Sequence, residues 1–226
     1  MSKYILQAKN IHKNFITASQ KIDVLKGVSL NIEKGKSVAI QGSSGEGKTT
    51  LLHVIGTLES FSSGSLTIAG KQVTKNNAAH IRNILLSFIF QNYNLLEDFS
   101  LIDNILMPAR ISRSNINKQS FLYKKAHELL DSVGLSKRAQ FPVKLLSGGE
   151  KQRAAIARSL CNDPELILAD EPSGNLDHSN SRIIHNLLID SVRATGKSLL
   201  VVTHDKELAA LCDHIYILED GVLLDS

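Results

Sequence analysis

Apolar residues fall along this chain in two rhythms. Near the start they come in short runs broken by polar residues, at 4–9, 24–32 and 37–40. Runs of that length predict strands, with Glu33-Lys34-Gly35 as the turn before the third. A helix is expected from Thr49 to about Ile55. Residues 66–69 and 71–73 flank Gly70 and predict a small hairpin. Another apolar run, 85–90, ends at Gln91.

The middle of the chain changes period. Residues 101–110 and 120–133 predict helices, the second carrying Phe121, Leu122, Ala126, Leu129, Leu130 and Val133. Pro108 is expected to kink or end the first, and Gly134 to end the second. After Leu146 the strand–helix alternation returns. Ser147 is expected to cap a helix to about Leu160. Residues 165–169 and 198–203 read as buried strands, and 181–194 as a helix stopping at Gly196. The strand at 198–203 is too apolar to have a wet face, as in a parallel sheet covered by helices. Residues 214–218 and 222–224 flank Asp220-Gly221 as a closing hairpin. Together these predict one α/β domain over 1–226. Its core is expected at about 1–90 and 146–226, with an antiparallel start and a helical insertion at about 91–145.

Composition narrows the class. The chain has 226 residues, 42% hydrophobic and 21% charged, ordinary for a soluble globular protein. A net charge of +4 is too slight to imply nucleic acid. No apolar run reaches the roughly 18 residues a membrane span needs. The start, MSKYILQAKNIHKNF, lacks a secretory pattern. A cytosolic chain is therefore expected, with Cys161 and Cys212 as two unrelated thiols.

The first candidate chemistry lies between a strand and a helix. Gly42, Gly47, Lys48 and Thr49 fit G-x-x-x-x-G-K-[ST]. Glycines there let backbone N–H groups turn toward phosphate oxygens, and the helix N-terminus adds partial positive charge. Lys48 supplies a full charge for the β- and γ-phosphates, and Thr49 a hydroxyl for Mg²⁺. Glu46 stands out beside a phosphate. It is expected to turn its side chain outward, or to face a partner subunit.

A second candidate is the strand ending Leu166-Ile167-Leu168-Ala169-Asp170-Glu171. Beside a phosphate loop, Asp170 is placed to hold Mg²⁺, directly or through water. Glu171 is placed to orient or deprotonate an attacking water. Gln91 and His204 also follow predicted strands. Ligands of parallel sheets gather at the carboxyl ends of strands, so all four are expected on one edge.

The most specific stretch is Leu146-Ser147-Gly148-Gly149-Glu150-Lys151-Gln152-Arg153. Here the chain resembles the nucleotide-binding domain of ABC transporters, whose signature is L-S-G-G-[EQ]-x-Q-R. The family's other motifs appear in its order: GSSGEGKT, FQN with Gln91, LSGGE, LILADE, GNLD ending at Asp177, and THD with His204. The resemblance covers nearly the whole chain. It implies a P-loop NTPase core of the ABC ATPase type, with an antiparallel β subdomain and an inserted α-helical subdomain. It implies ATP and Mg²⁺ as cofactors and hydrolysis to ADP and phosphate.

It also implies an ATP-dependent homodimer. Each nucleotide would lie between Gly42, Ser43, Ser44, Gly45, Glu46, Gly47, Lys48, Thr49 and Thr50 of one copy and Ser147, Gly148, Gly149 and Glu150 of the other. Ser147 and the N–H groups after it open a helix, so they would form a second anion site for the γ-phosphate. By the same resemblance, Glu171, His204, Lys48 and Gln91 are catalytic, and Thr49, Gln91 and Asp170 hold metal. Asp177 would touch the partner copy, and Gln91 would couple to a membrane subunit. Phe15 matches the position whose ring stacks on adenine.

Within the family the chain looks most like the lipoprotein-releasing LolD group, with relatives in the macrolide-exporter MacB and cell-division FtsE groups. The supporting stretches are LLHVIGTL, FQNYNLL, Asp103-Asn104-Ile105 with Pro108, and ADEPSGNLD. Glu46, Asp103, Phe15 and Ser173 depart mildly from the usual residues. The likeness implies a LolC/LolE-like integral membrane permease as partner, no nucleic acid, and a peripheral place on the cytoplasmic face of the inner membrane. The alternatives are a MacB-like exporter, an FtsE-like division ATPase, a small-solute importer, or a soluble ATPase acting on DNA or ribosomes. The last class usually carries a coiled-coil insertion or two cassettes, and this chain has neither.

Overall fold

The computed structural model describes residues 3–16 and 20–225; the expected domain bounds at Met1 and Ser226 lie outside them. Strands β1 (Tyr4–Ile16) and β2 (Lys21–Glu33) form a long antiparallel pair. Next come β3 (Ser37–Gln41), α1 (Lys48–Ile55), β4 (Ser63–Ile68) and β5 (Lys71–Gln72). The order β2-β1-β4-β5 makes one four-stranded sheet. The first two strands outrun their apolar runs. Polar residues such as Lys9 and Asn10 interrupt the alternation of β1, and the register shifts between Ala8 and Ile11. The β4–β5 turn uses Ala69 and Gly70, both at positive φ, as a tight hairpin requires.

The second sheet has six strands in the order β10-β9-β3-β8-β7-β6. Its members are β3, β6 (Leu86–Ile89), β7 (Leu166–Asp170), β8 (Ser198–Val202), β9 (His214–Glu219) and β10 (Val222–Asp225). All neighbours are parallel except the closing β9–β10 hairpin, which turns at Asp220-Gly221. Strand alternation explains why the central runs are wholly apolar. Val38, Ile40, Leu166, Leu168, Leu200 and Val202 face one core, shared with α1 and the antiparallel sheet. Ala39, Ile167, Ala169, Leu199 and Val201 face another, on the opposite side. Packing on the first side is close. A Cβ on Gly56, just after α1, would meet the Phe88 ring and Leu168 Cδ1, at 3.0 Å or less.

The remaining helices are α2 (Ala78–Ile84), α3 (Leu101–Ile105), α4 (Met107–Ile111), α5 (Phe121–Ser132), α6 (Gly148–Ser159), α7 (His178–Thr195) and α8 (Lys206–Ala210). The single helix expected over 101–110 is two. The break falls at Leu106, and Pro108 lies in the first turn of α4, where its missing N–H is harmless. Helix α7 starts earlier than its apolar period, because the Asp177 carboxylate accepts from Asn180 N and caps it. Helices α2 and α8 are short and bury only one and two residues, too few for a visible period.

Helices α3 to α5 form a third apolar cluster, and α6 joins it to the sheet. Ala154, Ala157 and Cys161 face that cluster, while Ile156 and Leu160 face the sheet core. The helix that starts at Ser147 is thus packed on both sides. Among the described residues no helix is long and apolar enough to cross a membrane.

Candidate nucleotide-binding site

The carboxyl ends of β3, β6, β7 and β8 converge on one cleft of about 710 Å³. Gly42, Ser43, Ser44, Gly45, Gly47, Lys48, Thr49 and Thr50 form one wall. Gln91, Asp170, Glu171 and His204 lie across it. Gly45 and Gly47 take positive φ, which shapes the loop. Gly47 is also tight: a Cβ would lie 2.8 Å from Val24 Cγ1.

The start of α1 differs from most other helix starts here. Ser100, Ser120, Ser147, Asp177 and Asp205 each cap their own helix with a side chain. Gly47 offers no side chain to α1, so its first N–H groups are left for a ligand. Lys48 Nζ donates to Gly42 O at 2.9 Å and Ser43 O at 2.8 Å, which holds the cation inside the loop.

Thr49 Oγ1 donates to Asp170 Oδ1 at 3.3 Å, joining the phosphate loop to the end of β7. Burial pushes the Asp170 carboxyl above its ordinary value, outweighing the Thr49 hydroxyl. A cation beside it would offset that cost. Hard oxygen donors from Asp170, Thr49 and Gln91, with substrate phosphates completing the set, suit Mg²⁺.

Glu171 follows β7 with φ 42, uncommon for a glutamate. Its N–H donates to Val202 O at 2.9 Å, holding this turn against β8. Its carboxylate accepts three bonds: Oε1 from His204 N at 3.0 Å and His204 Nδ1 at 2.8 Å, and Oε2 from Thr203 Oγ1 at 3.1 Å. His204 therefore has Nε2 left for a ligand. Gln91 lies over Gly174, where a Cβ would come 3.1 Å from Gln91 Nε2. Asn175 Nδ2 donates to Gln91 O at 3.0 Å and fixes the backbone there.

Other sequence-predicted residues lie away from this cleft. Ser147 and Glu150 form a capping box: Ser147 N donates to Glu150 Oε2 at 2.9 Å, and Glu150 N to Ser147 Oγ at 3.3 Å. The Ser147 amide, first, holds the Glu150 carboxyl below its ordinary value. The box leaves the amides of Gly148 and Gly149 at that helix start. None of these four residues lines the phosphate cleft. Asp177 accepts from Ser179 Oγ, Asn180 N and Asn180 Nδ2, which hold its carboxyl far below the usual range. Phe15 pairs with Ile22 at the end of the long hairpin, and Lys13 Nζ lies 4.6 Å from its ring centroid.

Glu46 does not line the cleft either; its Oε2 accepts from Asp220 N in the β9–β10 turn. With the carboxylate used there, Glu46→Ser is expected to change ATP affinity only a few-fold, while thermal unfolding reports a loss of about 1 kcal/mol. A gain in affinity of about a hundredfold by calorimetry would mean that the carboxylate repels the nucleotide. The residues that sequence reasoning missed are Val24, which lines the cleft, and Thr203, which is fully buried. A hydroxyl ending the apolar run 198–203 was the available signal for Thr203.

Residues 25–174 match the family model described as ABC transporter. The chain belongs to the ABC transporter family. It is 50% identical to the lipoprotein-releasing system ATP-binding protein LolD of Protochlamydia amoebophila, over 98% of this chain and 97% of that one. Proteins of the same name from Porphyromonas gingivalis and Francisella tularensis are 44% and 43% identical, again over nearly full length. Among solved structures, the dimeric ABC transporter cassette MJ0796 superposes with a TM-score of 0.87 at 34% identity, covering 96% of each chain. A post-hydrolysis dimer of MJ0796 bound to ADP and Pi gives 0.85. The fold is therefore the α/β fold of ABC ATPase cassettes, as the signature implied.

Proposed function

We propose that this chain is the ATP-hydrolysing subunit of an ABC transporter complex that releases lipoproteins from the inner membrane. One observation carries the ATPase reading: the uncapped start of α1, with Lys48, faces Asp170 and Glu171 across a single cleft. Triphosphate oxygens meet the loop amides and Lys48. Glu171 accepts the proton of a water that attacks the γ-phosphorus, and His204 meets the γ-phosphate through Nε2. Asp170, Thr49 and Gln91 would hold Mg²⁺, which would supply positive charge to the phosphates.

The products are ADP and phosphate. Phe15 offers an exposed ring for adenine. The chain acts as one domain, with its helical part inserted in the core.

The start of α6 serves a second copy. Ser147, Gly148 and Gly149 do not border this chain's own cleft, and the amides of Gly148 and Gly149, which the capping box leaves, suit the γ-phosphate held by a partner. Glu150 lies at the same helix start and Asp177 at the start of α7, where a second copy would be met. The dimeric MJ0796 cassettes support such a pairing. ATP joins the two copies, and loss of its γ-phosphate parts them.

A membrane permease of the LolC/LolE type receives that motion, with this chain peripheral on the cytoplasmic face. A groove of about 550 Å³, lined by Phe88, Phe90, Met107 and Ile111 together with Arg82 and Arg158, begins just before Gln91 and suits an amphipathic segment of such a partner. The LolD relatives support lipoprotein as the cargo.

Exporters and importers share this site chemistry, so the partner decides. Isolation of the chain from detergent-solubilised native membrane is expected to bring a permease with four spans and a large extracytoplasmic domain. A compact permease with a solute-binding protein would replace lipoprotein release by import.

A further inference from the structure

Behind the cleft lies a buried polar cluster that the hydrolytic reading does not use. His185, on the inner face of α7, is 2% exposed, and Ser173 is 6% exposed. His185 Nε2 lies 2.8 Å from Ser173 Oγ and 3.6 Å from Asp205 Oδ2. The Ser173 hydroxyl can donate or accept, and the Asp205 carboxylate beside it favours the tautomer with the ring proton on Nε2. Burying an imidazole and a hydroxyl is costly unless they satisfy each other, so the contact sets the register of the segments that carry them.

Those segments matter. Ser173 is two residues beyond Glu171, in a turn closed by Gly174 N donating to Glu171 O at 3.0 Å. Asp205 directly follows His204. Its N–H donates to Thr203 Oγ1 at 3.0 Å, and that hydroxyl donates to Glu171 Oε2. Its Oδ1 accepts from Glu207 N and Leu208 N, which anchors it to α8. Two loops after adjacent parallel strands thus meet on one imidazole. Glu171 needs such support, because a glutamate at positive φ persists only where its surroundings hold it.

We infer that His185 is a positioning residue: by bridging Ser173 and Asp205 it holds the Glu171 carboxylate in place toward the attacking water. This rests on the proposed ATP hydrolysis. The effect is on the chemical step and not on nucleotide binding, since His185 reaches none of the cleft wall.

Steady-state ATPase measurements on His185→Leu, His185→Gln, Ser173→Ala and the Ser173→Ala/His185→Leu double variant test it. His185→Leu is expected to lower kcat about tenfold with the KM for ATP within about twofold of wild type. His185→Gln, whose amide reaches toward the same two oxygens, retains most of the rate. Ser173→Ala loses several-fold, and the double variant is no slower than His185→Leu alone. The inference is overturned if His185→Leu and Ser173→Ala both run at the wild-type rate. It is equally overturned if His185→Gln is as slow as His185→Leu, or if kcat and KM change together in step with the melting temperature. Should His185→Leu fail to fold, Ser173→Ala removes one hydroxyl and His185→Gln keeps the bridge, and those two decide. Glu171→Gln serves as the control. Full-rate hydrolysis by that control sinks the hydrolytic reading and this inference with it. An inactive control beside wild-type rates for His185→Leu and Ser173→Ala sinks this inference alone.

Discussion

Glu171→Gln is expected to bind ATP, lose most of its turnover and accumulate as an ATP-bound dimer. The amide has the shape of the carboxylate, so the surroundings change little. One oxygen still accepts from His204, and the Thr203 hydroxyl can rotate to accept from the new NH₂. What the amide cannot do is take a proton. Losing a general base costs about 10²- to 10⁴-fold in rate. Lys48, Thr49 and the loop amides are untouched, so affinity for ATP stays within a few-fold. With hydrolysis stopped, the γ-phosphate that joins two copies in the proposed pairing is expected to persist. Phosphate release, calorimetry and size-exclusion chromatography with ATP check the three parts. Full-rate hydrolysis would remove Glu171 from its role as base.

Lys48→Ala is expected to weaken ATP binding by about a hundredfold or more, near 2.7 kcal/mol. Two losses combine. The phosphates lose their one full cation in the loop, in a site partly withdrawn from water. The loop loses the ammonium that gathers Gly42 O and Ser43 O. Those carbonyls would then face the triphosphate without a compensating donor. The uncapped N–H groups of α1 remain, which is why weak binding survives. Calorimetric titration with ATP decides it. A dissociation constant within about threefold of wild type would mean that the helix start alone holds the phosphates.

Strands β3, β7 and β8 were legible because each is covered on both faces. Every residue of 38–40, 166–169 and 199–202 is apolar, and the strands exceed these runs only by a polar residue at one or both ends. Helix α5 was legible from its period, and the structure adds Ser120 as its cap. Helix α2 was not, since Ile81 alone is buried and one residue has no period. The break at Leu106 was misplaced because the proline was read as a stop, whereas it lies where a helix begins. The reach of β1 to Ile16 was hidden by a register shift that polar residues accommodate.

The site divides the same way. Gly42 to Thr50, Ser147 to Arg153, and Asp170 with Glu171 are short runs in which chemistry dictates neighbouring residues, so they read directly. Glu46 on the Asp220 amide, Thr203 on Glu171, and His185 between Ser173 and Asp205 join residues far apart in the chain. No local spacing announces such pairs.

The amino-acid sequence by itself determined the phosphate loop, the signature helix start, the acidic strand end and the α/β order. Each depends on contacts within a few residues, or on a burial period the chain displays openly. Only the tertiary structure decided where the Glu46 carboxylate turns. It alone keeps Ser147 off that cleft, and it alone joins the loops after β7 and β8 through a buried histidine. Those outcomes depend on which distant segments the sheet order makes neighbours, and on the cost of burying polar groups that must then satisfy one another.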